Sequence, residues 1–131
     1  MTLAALGALV GLSLVVNVAV DRVMPDAATV VPGLGMSTQE QRATMQPLIR
    51  TANECVARFV TADPRFEEQV KRGNVNDLIV DSIPTCLAAV RALIEEHDRI
   101  YGAGTGEIFF MGPYLDALPT VVNNFVRKSG R

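Results

Sequence analysis

PTCLAAVRALIEEHDRIY, residues 84–101, decides the fold class. Cys86, Val90, Leu93, His97 and Tyr101 recur at three- and four-residue intervals, the spacing of one helix face. Pro84 suits a first helical turn, and Gly102 suits the residue just past the end. Ser82-Ile83-Pro84 marks a break before it, with Ser82 placed to cap the new segment. A helix is therefore predicted over residues 84–101.

Toward the N-terminus the same period returns in Leu48, Ala52, Cys55, Val56 and Phe59, within a helix strongest over 48–62. Ser37-Thr38-Gln39-Glu40 fits a capping box, so this helix should start near Thr38, with Pro47 kinking or splitting it. Asp63-Pro64 reads as a cap followed by a first-turn proline. It opens a short helix, 64–72, with Phe66 and Val70 inward and Gly73 as its stop. Residues 75–82 form another, with Val75, Leu78 and Ile79 as its apolar side.

Toward the C-terminus, GAGTG at 102–106 reads as a flexible turn. It lacks the preceding strand and the Gly-Lys-Ser/Thr of a phosphate-binding loop. Glu107-Ile108-Phe109-Phe110-Met111 is very apolar. A lone strand here would have no partner, so a buried extended segment or a helical turn is expected. Leu115, Leu118, Val122 and Phe125 then mark a last amphipathic helix, with Pro119 near its middle and Arg127 and Lys128 at its negative dipole end. The fold class is all-α. A small bundle of four to five short helices spans residues 37–131, behind one N-terminal apolar helix.

That N-terminal stretch, MTLAALGALVGLSLVVNVAV, carries no charged side chain, and Ser13 and Asn17 are its polar interruptions. At 1.5 Å per residue, such a helix spans roughly 30 Å, about a bilayer core. It reads as an uncleaved signal anchor or a signal peptide. Its length, the missing basic start and the poor sites after Ala19 and Ala28 favour the anchor. A buried core helix is a third reading, disfavoured by uniform apolarity. Gly7 and Gly11 form a GxxxG through which two such helices could pair as a homodimer. Residues 21–36, broken by Pro25, Pro32, Gly33 and Gly35, form a linker. Arg22, the nearest cation, weakly favours a cytoplasmic C-terminus, and the cysteines argue the other way.

Cys55 and Cys86 are the only cysteines. Each lies on an apolar helix face, so packing of those faces would bring the thiols together. Beside an export-like segment this predicts one disulfide and an extracytoplasmic domain. Two reduced, buried thiols are the alternative. Neither a CxxC pair nor a second histidine is present, so no metal and no cofactor is expected.

The net charge is −2, the cations are interleaved with acids, and there is no Trp. Those features argue against a nucleic-acid partner. Glu67/Glu68, Asp77/Asp81 and Glu95/Glu96/Asp98 read as solvated helix faces. His97, the single histidine, would have to carry any histidine-based catalysis, yet Cys86 is three turns away on the same helix. A boundary histidine held by a neighbouring polar group is expected instead, and no catalytic residue is assigned. The candidate binding surface is Ile108, Phe109, Phe110, Met111 and Tyr114, apolar residues beside a glycine-rich turn. The functional expectation is a non-catalytic envelope protein that meets a protein partner on the extracytoplasmic side. A soluble periplasmic binding or chaperone-like module released by signal cleavage is the alternative, and a small enzyme using His97 is a further one.

Overall fold

A computed structural model describes residues 35–130 of the chain. The apolar stretch 1–20, its Gly7/Gly11 pair and nearly all of the linker lie outside the described residues. Among those described, the structure is all-helical. The elements are α1 (Thr38–Ala62), α2 (Phe66–Arg72), α3 (Val75–Ser82), α4 (Leu87–Tyr101), α5 (Thr105–Phe109), a π-helical turn (Phe110–Tyr114) and α6 (Leu115–Lys128). The last three run on without leaving helical backbone angles, so 105–128 is one rod with a local widening. None of the described helices is long and apolar enough to cross a membrane.

The capping box is present at the start of α1. Glu40 N–H donates to Ser37 Oγ at 3.2 Å, and Ser37 N–H donates to Glu40 Oε2 at 2.6 Å. Those bonds to its ionised form hold the Glu40 carboxyl below its usual range. Pro47 does not split the helix; α1 passes through it as one element of 25 residues. Met45 before the proline and Ala52 and Val56 after it are buried in one core, and that burial outweighs the missing backbone bond. The buried stripe also drifts from the face first read. It runs Met45, Ala52, Val56 and Val60, leaving Cys55 half-buried and Phe59 exposed. On α4 the stripe ends at Ile100, and Tyr101 is exposed.

α2 begins at Phe66 rather than at Pro64, because Asp63 and Pro64 form a preceding turn. Asp63 Oδ1 accepts from Arg65 N–H at 2.8 Å, and the Arg65 guanidinium bridges Asp63 and Asp81 at 2.9 Å each. This pairing pushes the Asp63 carboxyl down. Val70 is exposed, so Phe66 alone anchors α2. Gly73 ends it at φ 75°, a left-handed turn suited to glycine. Ser82 does not cap α4. Its hydroxyl donates back to the Ile79 carbonyl at 2.6 Å, and residues 83–86 form turns, so α4 starts at Leu87.

α1 is the central element and packs against α3, α4 and α6. The core gathers Ala52, Val56 and Val60 of α1, Leu78 of α3, Val90, Leu93 and Ile100 of α4, and Leu118 and Val122 of α6. Cys55 and Cys86 form a disulfide with Cα atoms 5.8 Å apart, closing a separation of 31 residues. In the chain-entropy view, a loop of that size stabilises the fold by about 3–4 kcal/mol.

Candidate functional site

Ala103 and Gly104 form a turn, and from Thr105 onward the segment is helical rather than extended. Gly106 is buried in the first turn of α5, pressed against α4. A Cβ built on it would lie 2.2 Å from the Ile94 carbonyl oxygen, so only glycine allows this approach. Asp98 reaches across from α4, and its Oδ1 accepts the Gly106 N–H at 2.7 Å. It is therefore half-buried and joins two helices, unlike the solvated acid first expected. The π-turn follows, with Pro113 inside it. Proline has no N–H to give and its ring clashes with the carbonyl four residues back. Widening the helix there accommodates both defects.

This geometry separates the five residues of the expected binding surface. Ile108 and Met111 point to solvent, 74% and 64% exposed. Phe110 is half-buried and lines a groove of about 430 Å³ against α4. Val90 and Ile94 form the groove's floor, Leu87 and Met111 its apolar walls, and Arg91, Glu95 and Glu107 its charged rim. Phe109 turns the other way and stacks on the His97 ring, centroids 4.6 Å apart and 15° from parallel. Tyr114 belongs to the core, 3% exposed, so it is no part of a surface. Its hydroxyl finds no hydrogen-bond partner, and burial pushes its pKa up to about 12.

His97 is held as a boundary residue. Its Nδ1 lies 3.0 Å from Thr105 Oγ1, whose one hydrogen goes to the Gly102 carbonyl at 2.7 Å. Nδ1 must therefore donate, which leaves Nε2 of the neutral ring as an acceptor. Partial burial pushes the imidazole below its ordinary value, and the Asp98 charge offsets part of that. Tyr101 covers the ring with centroids 4.4 Å apart. Cys86 is locked in the disulfide and cannot serve as a nucleophile. No three metal-ligating side chains cluster among the described residues.

The groove on α4 has a signal in the sequence. Leu87, Val90, Ile94 and the intervening Arg91 form a second stripe at helical spacing, beside the core stripe of the same helix. Asp98 and Thr105 carried no such signal, because their roles depend on a helix-to-helix approach set by Gly106. The chain has no significant match among protein-family models, curated proteins or solved structures.

Proposed function

We propose that this chain is a non-catalytic interaction module of the cell envelope. In this reading residues 1–20 tether it to the membrane, and the helical domain meets a protein partner on the extracytoplasmic side. The Leu87–Phe110 groove with exposed Met111 on its wall carries the proposal, and Ile108 is exposed on the same helical rod. Scattered apolar residues on a surface are ordinary, but several grouped around one groove with a charged rim have the composition of a docking patch. The disulfide supports the extracytoplasmic placement, since such bonds persist in oxidising compartments. The uncharged stretch 1–20 supports the tether.

Site-specific photocrosslinking in the host tests the surface. A photoreactive side chain at Met111 or Ile108 should yield one defined adduct that is absent when the same group stands at Asn123, an exposed position of α6. Identical adduct patterns from all three positions, or no adduct from Met111 and Ile108, would contradict the proposed docking surface.

A further inference from the structure

Phe109 and Phe110 wedge to opposite sides of the α5 rod, and the cleft on the Phe109 side has a chemistry of its own. It encloses about 250 Å³ between Arg42, Met45, Gln46 and Ile49 of α1 and His97, Tyr101 and Phe109. Met45 and Ile49 supply an aliphatic wall, and Tyr101 and Phe109 flank the imidazole. Polar groups stand at its edges with unused capacity. Among the described residues, Arg42 has no carboxylate partner and Gln46 has no hydrogen-bond partner. His97 Nε2 also has none, because the Thr105 contact occupies Nδ1 alone. Arg42 and Gln46 are exposed at the rim, and an apolar cleft bearing a few polar groups is the usual make-up of a small-molecule site.

The polar groups define the ligand. An unpaired guanidinium favours a carboxylate, which it can hold through two parallel N–H bonds. The Gln46 amide can donate to the same anion. Neutral His97 with its proton on Nδ1 presents a lone pair at Nε2, so it needs a donor from the ligand. The lining of Met45, Ile49, Tyr101 and Phe109 favours an apolar body, and the volume limits it to one ring with a short arm.

We propose that this cleft binds a small aromatic carboxylate bearing a hydroxyl, with Arg42 taking the carboxylate and His97 Nε2 accepting from the hydroxyl. The site stands apart from the docking groove and does not depend on it. Its occupant lies against α1 and α4, with Phe109 as the one member of the apolar segment that it touches.

The single histidine makes the test specific, because its ring signal in a carbon–proton NMR spectrum is unambiguous. The full-length protein in lipid nanodiscs is titrated with 4-hydroxyphenylacetate, phenylacetate and 4-hydroxyphenylacetamide, each to 10 mM. A saturable shift of the His97 signal is expected with the first probe, at least fivefold weaker binding with the amide, and about threefold weaker binding with phenylacetate. Arg42→Gln, an exposed substitution, should weaken 4-hydroxyphenylacetate at least fivefold while leaving the melting temperature unchanged. An unmoved His97 signal, equal binding of the three probes, or unaltered binding by the Arg42→Gln protein would each overturn the proposal.

Discussion

Gly106 shows how closely single residues set the geometry of the candidate site. Its missing side chain lets α5 settle on the Ile94 carbonyl, and Asp98 and Thr105 take up their contacts only because that approach occurs. Gly106→Ala should lower stability by about 3 kcal/mol, the upper end for overpacking, since backbone rather than a movable side chain blocks the new methyl. Equilibrium urea unfolding measures it. Tyr114→Phe should act oppositely. Removing a buried hydroxyl that has no partner leaves stability unchanged or raises it by about 1 kcal/mol in the same assay. For His97 the sign follows from its lowered folded-state pKa. The unfolded chain binds the proton more tightly, so the residue's contribution is complete above its ordinary value of 6.5 and is lost as pH falls through the lower folded value. Unfolding midpoints at pH 7.5, 6.5 and 5.5 should decline more steeply for the native protein than for His97→Gln. The depressed carboxylates Glu40, Asp63 and Glu96 act in a lower window, below their ordinary values.

At the scale of elements, prolines separate what the sequence makes legible from what it does not. The capping box, the Gly73 stop, α3 and the apolar face of α6 are local signals, and each stands where its residues placed it. Pro47 misleads because proline's cost is local while the gain that outweighs it is tertiary. Pro47 lies in a helix whose burial begins at Met45 and resumes at Ala52, and Pro113 sits in a turn widened to receive it. Pro47→Ala should therefore restore a backbone bond and raise stability by up to about 3 kcal/mol, with an upward shift in the thermal midpoint. The candidate surface was legible only as a segment. Residues 107–114 are apolar enough to be singled out, but a helical path sends neighbours in different directions. Phe109 and Phe110 thus face different clefts, Met111 faces solvent and Tyr114 faces the core. A linear reading cannot assign those directions without the turn type.

For the molecule as a whole, the disulfide ties α1 to the turn before α4, two elements already joined through Val56, Val90 and Leu93. Replacing both cysteines with alanine should leave the helical content intact and lower stability by about 3–4 kcal/mol. The bond also links fold to compartment, because an extracytoplasmic module keeps it and a reducing compartment does not. The proposed extracytoplasmic placement of the Leu87–Phe110 groove depends on that link. Maleimide labelling of intact host cells, before and after reduction, tests it most directly. With the domain on the extracytoplasmic side, Cys55 and Cys86 should resist labelling in denatured, unreduced protein and should both label after reduction. Full labelling of both cysteines without reductant would contradict the disulfide-bonded envelope module.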